Sequence, residues 1–336
     1  MSTYEPSPQL FFETVNAYQQ TAAIRAAIEL GVFTASAGGA ATAAELATAC
    51  HASERGIRIL CDYLTVRGFL VKSGANYTLT PDSALFLNAH SPAYLGGALE
   101  FLLNPTSQKS FEHLTDAVRS GGTAVPGERA LETDHPMWAK FARAMAPLMY
   151  QPAQFIAKLA AENANGSLKV LDIAAGHGAF GVAVAKECPT AEIVAQDWPH
   201  VLEVAQENAR KAGLDGRHRL LPGNAFDVDF GGPYDIVLLT NFLHHFDVAA
   251  CESLIRKISA ALKPDGRVIT LEFVPNEDRI TPSTAAGFSL TMLAATPAGD
   301  AYTRTELERM FKNSGFTRNV AHDLPGGIQK VIVSSR

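Results

Sequence analysis

The chain has no excess of basic residues: 28 Lys and Arg stand against 34 Asp and Glu, a formal net charge of -6. A general polyanion binder needs a basic surface to neutralise phosphates, so this balance argues against one. No apolar run approaches the roughly 20 residues of a membrane span. The opening Met1-Ser2-Thr3-Tyr4-Glu5-Pro6 lacks a basic region followed by an apolar core, so no signal peptide is read there. Cysteine is scarce: Cys50, Cys61, Cys188 and Cys251 occur singly, with no C-x-x-C. That spacing reads as reduced thiols in a cytoplasmic protein, not as a disulfide framework. The ten histidines are scattered without metal-ligand spacing, so no metal is expected. Internal repeats and low-complexity segments are also missing.

What remains is a chain of 336 residues, 47% hydrophobic and 18% charged, long enough for two domains and two cores. Val15, Tyr18, Ala22, Ala26 and Leu30 recur at helical spacing over residues 10–30, and Gly31 reads as a C-cap. Thr42 and Glu45 form a capping-box pattern, and Ser53 starts a further helix through Ile57, Leu60, Cys61 and Leu64. Residues 68–72 and 77–80 read as two strands around Ser73-Gly74-Ala75-Asn76, a hairpin. Helices followed by a hairpin outline a winged helix, whose obvious role is DNA binding. Yet residues 1–100 hold five basic residues (Arg25, Arg55, Arg58, Arg67, Lys72) against eight acidic ones (Glu5, Glu13, Glu29, Glu45, Glu54, Asp62, Asp82, Glu100). A DNA reader needs a basic face, so the expectation is a packing or dimerisation module.

Residues 101–165 read as a helical connector that contributes to a substrate pocket, with a loop over residues 121–127. A helix over residues 136–159 carries Met137, Trp138, Phe141, Met145, Met149, Tyr150 and Phe155. Such a stripe suits a core, and methionines and aromatics also line pockets for flat apolar ligands. Asn163-Ala164-Asn165-Gly166-Ser167 then breaks the chain. Over residues 166–336 strand and helix alternate: strands at 169–174, 191–196, 218–221, 234–240, 267–273 and 328–334, helices at 179–188, 201–212, 249–262 and 303–314. Alternation predicts an α/β, Rossmann-like domain with a parallel, doubly wound sheet.

Its first strand runs into Asp172-Ile173-Ala174-Ala175-Gly176-His177-Gly178-Ala179-Phe180-Gly181. Gly176-x-Gly178-x-x-Gly181 matches a dinucleotide fingerprint, and Asp197, closing the next strand, stands where a carboxylate binds ribose hydroxyls. A nicotinamide oxidoreductase is one reading. Against it, the glycine loop lies in the second half of the chain, leaving about one sheet for substrate and a hydride-transfer acid. Asp172 ahead of the loop gives Asp-x-Ala-x-Gly-x-Gly, a pattern common where the ligand is S-adenosylmethionine. Asn224-Ala225-Phe226 pairs a polar with an apolar side chain, suited to an adenine edge and face; an ordinary turn is the plain alternative.

Five segments occur in one order: Asp172 to Gly178, Asp197-Trp198-Pro199-His200-Val201, Gly223-Asn224-Ala225-Phe226, Leu243-His244-His245-Phe246 and Leu262-Lys263-Pro264-Asp265-Gly266-Arg267-Val268. Together the chain resembles the S-adenosylmethionine-dependent O-methyltransferases that carry an N-terminal winged-helix dimerisation domain. The resemblance covers essentially the whole chain. It implies a homodimer that binds S-adenosylmethionine through Asp172, Ala174, Gly176, Asp197, Trp198, Asn224, Ala225, Phe226 and Thr240. His244 takes the place of the family's catalytic histidine and Glu272 that of the carboxylate orienting it. Met292 takes the place of the methionine that packs on the acceptor, with Met145, Met149, Phe242 and Thr296 around it.

The sequence departs from that pattern. Ala174 and Ala175 replace glycines, Asn224 an aspartate, Thr240 a lysine, His245 an aspartate and Phe246 a tryptophan. The second flanking glutamate falls at Ala301, unless Asp300 substitutes. The resulting expectation is methyl transfer to a hydroxyl of a small aromatic or polyketide-like acceptor. A phenol with a pKa of about 10 is mostly protonated at neutral pH, so a histidine base is well matched. Transfer to carbon or nitrogen, which the missing carboxylate keeps open, the nicotinamide oxidoreductase and a DNA-binding metabolite sensor are the alternatives.

Overall fold

The computed structural model describes residues 5–125, 137–162, 166–324 and 327–336, in two compact units, Met1–Glu100 and Phe101–Arg336. Expectations for Met1–Tyr4, for Pro126 and Gly127 of the 121–127 loop, for Pro136 and for Asn163–Asn165 fall outside the described residues.

In the first unit the helical pattern of residues 10–30 is two helices, Gln9–Val15 and Ala17–Glu29, parted at Asn16 (φ -89°, ψ 2°). Asparagine competes with the helix for its own backbone groups, and sequence periodicity does not register that break. Gly31, at φ 74°, ends the second helix and opens a short one, Val32–Ala37, that was not read from the sequence. The Thr42–Glu45 capping box is made in both directions at the start of Ala43–Ala49, and Ser53 caps Glu54–Val66. Strands β1 (Leu70–Ser73) and β2 (Asn76–Leu79) pair antiparallel with Ser73 opposite Asn76. Phe33, Leu46, Ile57, Cys61, Leu64, Leu70 and Tyr77 form the core beneath this hairpin. Asp62 ties helix to hairpin: the Tyr77 hydroxyl and Lys72 Nζ donate to its Oδ1 at 2.7 and 2.5 Å. Leu10, Phe11, Phe12, Val15 and Tyr18 stay exposed in the chain by itself.

In the second unit, the helix expected over residues 136–159 is interrupted. Met137–Met145 and Tyr150–Ala161 flank Pro147, which lacks an amide donor and restricts its predecessor. Seven strands follow: β3 (Lys169–Ile173), β4 (Glu192–Asp197), β5 (His218–Pro222), β6 (Tyr234–Thr240), β7 (Leu262–Glu272), β8 (Arg318–Asp323) and β9 (Lys330–Ser335). Their order is β5-β4-β3-β6-β7-β9-β8. The first five are parallel, whereas β9 runs antiparallel to both β7 and β8, so the sheet is mostly rather than wholly parallel. The edge strand β8, Arg-Asn-Val-Ala-His-Asp, has no apolar run to announce it. One core cluster packs around Leu171, Val237 and Ile255, another around Val170, Val184 and Ile269. The chain leaves β3 outward to β4 and β5, then returns to β6 on the other side. The carboxyl ends of β3 and β6 therefore flank the switch point where open α/β sheets bind ligands.

Gly181 serves this packing. A Cβ there would lie 2.7 Å from Ile193 Cγ2 and 3.1 Å from Asp172 Oδ2. The third glycine of the fingerprint lets the helix Ala179–Glu187 lie close on the sheet. Gly181→Ala is expected to overpack this contact and cost about 1–3 kcal/mol. Urea denaturation reads that loss; an unchanged midpoint would show that the helix shifts freely.

Candidate active site

Asp172, at the end of β3, is fully buried, and its Oδ2 accepts the Gly181 amide at 3.1 Å. Its Oδ1 has no partner among the described residues. Burial, with Asp197 adding repulsion, pushes its pKa up to about 8. Asp172 is thus buried behind the loop and is not among the residues that line the cleft beside it. His177 is also buried; its Nδ1 accepts the Ala179 amide at 3.0 Å, and burial lowers its pKa to about 4. The loop itself turns through Ala174 at φ 50° and Gly176 at φ 56°.

Asp197 closes β4. Its Oδ2 accepts the Gly176 amide at 2.8 Å and its Oδ1 the Trp198 amide at 2.7 Å. A carboxylate only accepts, which suits the hydroxyls of a diol. Next to it, the buried Gln196 accepts the Ala174 amide at 3.4 Å and donates to the Gly223 carbonyl at 2.5 Å. Gln196 thus clamps the loop after β3 to the loop after β5. One cleft opens here: Ala174, Asp197, Trp198, Asn224, Ala225 and Phe226 line it, all expected from the sequence. Gln196, Gly223 and Phe246 line it as well and were not expected; Phe242, expected at the acceptor, belongs to this wall. Phe226, Phe242 and Phe246 meet with centroids 4.9–6.4 Å apart. Thr240, buried at the end of β6, is not among the lining residues.

After β6 the chain turns at Asn241 (φ 54°) into a single 3-10 turn, Leu243–His245. Glu272 closes the adjacent strand β7, and the parallel register sets Thr240 beside Leu271. Its Oε1 accepts the amides of Phe242, Leu243 and His244 at 3.0, 2.8 and 3.4 Å. Its Oε2 lies 2.6 Å from His244 Nδ1, both side chains being buried. A carboxylate only accepts, so Nδ1 carries the proton and the free lone pair of the ring is on Nε2. The His244 ring meets Phe288 edge-on at 4.9 Å, and Phe288 stacks on Phe273 at 3.9 Å. His245 lies 4.2 Å from His244 and 6.2 Å from Trp138, ring to ring. Burial and the neighbouring His244 hold its pKa well below the ordinary histidine value.

The residues expected to hold an acceptor divide. Met292 is buried on the helix Ser283–Ala295. Phe288 stands one turn before it and is the residue of that helix against His244, a spacing readable in the sequence. Thr296 is buried, and its hydroxyl donates to the Met292 carbonyl and accepts the Gly299 amide at 2.7 and 2.8 Å. Met149 packs on the core, with Asn241 Nδ2 donating to its sulfur at 3.5 Å. Met145 ends its helix half-buried. Asp300 pairs with Arg279 at 3.2 Å, and the neighbouring Ala301 is fully buried. Glu272 is thus the carboxylate found on His244. Among the described residues no group of three or more His, Cys, Asp or Glu forms a metal site, and no helix is long and apolar enough to cross a membrane.

Comparison with known proteins follows the same division of the chain. Residues 111–317 match the family model described as an O-methyltransferase domain, and residues 12–89 match an O-methyltransferase dimerisation domain. The chain is 27% identical over 327 residues to a 3-hydroxy-5-methyl-1-naphthoate 3-O-methyltransferase of Streptomyces sahachiroi, covering 95% of this chain and 93% of that one. A crystal structure from Nostoc punctiforme, described as an O-methyltransferase, is 54% identical with a TM-score of 0.94, covering 99% and 100% of the two chains. Human N-acetylserotonin methyltransferase, solved in complex with SAM, shares the fold at 23% identity and a TM-score of 0.84, covering 100% and 99%.

The buried Asp172 makes a pH-dependent prediction. Its folded pKa, about 8, lies above the unfolded value of about 3.9. Between these the folded state holds a proton that the unfolded state has lost, so its contribution to stability falls as pH rises through that window. Asp172→Asn carries no such proton. Its urea midpoint relative to the unsubstituted protein is expected to rise from pH 5 to pH 8. A constant difference between the two would show an ordinary carboxylate.

Proposed function

The chain belongs to the O-methyltransferase family, and we propose that it uses S-adenosylmethionine to methylate a hydroxyl of a small aromatic or polyketide-like acceptor, with His244 as general base. The observation that carries this reading is the His244–Glu272 pair, 2.6 Å apart and buried beside a cleft of nucleoside character. The residues there fit the methyl donor. Asp197 offers acceptors to a ribose diol, Phe226, Phe242 and Phe246 offer faces to a purine, and the turn at Gly176 leaves room for the amino-acid end. The naphthoate and N-acetylserotonin enzymes among its relatives support a small aromatic acceptor, and the SAM complex of the human enzyme supports the donor.

When bound, S-adenosylmethionine supplies a sulfonium-activated methyl group and leaves as a neutral thioether. His244 Nε2 takes the proton of the acceptor hydroxyl as that oxygen bonds to the methyl carbon. Glu272, fixed by three backbone amides, holds the ring tautomer and stabilises the imidazolium that forms. Phe273 and Phe288 keep water from the ring and present an apolar face to the acceptor. Because the group transferred arrives already activated, the residues contribute mainly alignment, which intramolecular reactions show to be worth about 7–11 kcal/mol at best. His245 stays neutral beside the base and so adds no positive charge against the imidazolium. The exposed Phe12, Val15 and Tyr18, within residues 12–89 that match the dimerisation domain, and Leu10 and Phe11 just ahead of them support a homodimer.

Two measurements check the assignment. His244→Ala is expected to lower kcat by about 10²–10⁴-fold while calorimetric binding of S-adenosylhomocysteine stays unchanged; full activity on an accepted phenol would sink the base. Glu272→Gln keeps an acceptor for the backbone amides but loses the charge. Its kcat is expected to fall with little change in acceptor KM, whereas Glu272→Ala should also lower Tm by orphaning buried amides.

A further inference from the structure

The turn that carries His244 is held at both ends. Glu272 takes the amides of Phe242, Leu243 and His244, and Phe246 closes the turn in extended backbone (φ -121°, ψ 161°). Inside the turn the Phe246 amide donates to the Leu243 carbonyl at 3.1 Å and the His245 amide to the Phe242 carbonyl at 3.3 Å. Among the described residues no backbone amide reaches the Phe246 carbonyl, so its donors are side chains. The buried Cys251 lies 3.8 Å from it through Sγ but only 3.3 Å from the Leu243 carbonyl, and a thiol has one proton to give. The Tyr302 hydroxyl donates to the Phe246 carbonyl at 2.5 Å. Burial, then Cys251 and the carboxylates of Asp300, Asp247 and Glu306, raise the pKa of Tyr302, so the hydroxyl keeps the proton it donates.

The segment before Tyr302 brings it to the turn. The helix Ser283–Ala295, whose Phe288 meets the His244 ring, is followed by a loop in which Gly299 leaves no room for a side chain against His244 and His245. Ala301, where the family resemblance places a second carboxylate, is fully buried, and Thr303 caps the next helix, Arg304–Asn313. Tyr302 is thereby fixed between a close backbone contact and a helix start. Phe246, its partner, lines the cleft beside Phe226 and Phe242.

We infer that Tyr302 is a positioning residue for the reaction: its hydroxyl anchors the Phe246 end of the turn, as Glu272 anchors the Phe242 end, and together they hold His244 in reach of the acceptor hydroxyl. The inference rests on His244 as general base. A buried carbonyl that loses its donor is costly, and a turn free at one end lets Nε2 swing. Proton transfer needs heavy atoms within about 2.6–3.2 Å, so a small displacement lowers the rate without removing the base. That loss depends on the acceptor. A protonated hydroxyl needs the base, and one already ionised does not, whereas damage to the fold or the cleft lowers both alike.

Tyr302→Phe removes the hydroxyl and keeps the ring. Turnover by the full chain at pH 8 is compared on 1-naphthol, largely protonated there, and on 4-nitro-1-naphthol, which its nitro group keeps ionised. The kcat of the variant is expected to fall by about tenfold on 1-naphthol and by less than about twofold on the nitro compound. Its dissociation constant for S-adenosylhomocysteine, which reads the fold and the cleft, is expected to stay within about threefold of the parent's. Proton NMR adds a readout that needs no acceptor. The Nδ1 proton shared between His244 and Glu272 resonates far downfield, is identified by its loss in His244→Ala, and is expected to shift in Tyr302→Phe. An equal fall on both acceptors or an undiminished kcat on 1-naphthol overturns the inference, as does an unmoved resonance if neither naphthol is turned over. Undiminished turnover of 1-naphthol by His244→Ala overturns instead the general base on which the inference stands.

Discussion

One carboxylate organises the candidate active site. Glu272 gathers four N–H groups, three from consecutive backbone positions and one from an imidazole. Buried amides at the end of a strand need acceptors, and water is excluded here. The same charge that meets this need also fixes the ring of His244, so the turn and the base are set by one interaction. It is available because β6 and β7 are parallel neighbours, with Leu271 beside Thr240. From the other side Gly299 presses on the turn: a Cβ there would come within 2.2 Å of the His244 carbonyl oxygen. The base is held between a strand end and a loop that admits no side chain.

The nucleoside end of the cleft is built on the same economy. Gln196, Asp197 and Lys257 occupy backbone amides and carbonyls of two loops, those after β3 and β5. Buried hydrogen bonds of this kind stiffen the loops that they join. The glycines that first draw the eye contribute less directly. Gly181 serves helix-to-sheet packing, and Asp172 ahead of the loop accepts the Gly181 amide of that helix.

Where patterns are local, the sequence was legible. The Thr42–Glu45 capping box, the β6 span 234–240 and the juxtaposition of His244 with Glu272 follow from short-range chemistry or from the ordered motifs. Where partners are distant, legibility stopped. Thr296 is polar beside a presumed acceptor pocket, yet its hydroxyl is consumed by its own helix end and by Gly299. Phe288 and Met292 share a helical stripe, and only the packing against His244 separates them. Lys257 gave no signal, because its partners are carbonyls, which every residue has.

The sequence by itself determined the class of the chain: a helical unit with a hairpin, an α/β unit, the strand ends that bear chemistry and the family to which the whole belongs. Those follow from periodicity, caps and motif order, all carried along the chain. The tertiary structure alone decided which polar atoms are spent and which remain. The carboxamide of Gln196 had no assigned partner until the Gly223 carbonyl, from the loop after β5, claimed its Nε2. The imidazole of His244 had two equivalent nitrogens until Glu272 claimed one. Hydrogen-bond capacity is a property of side-chain type, but its remaining part depends on neighbours many residues away, and only folding brings those neighbours within 3 Å.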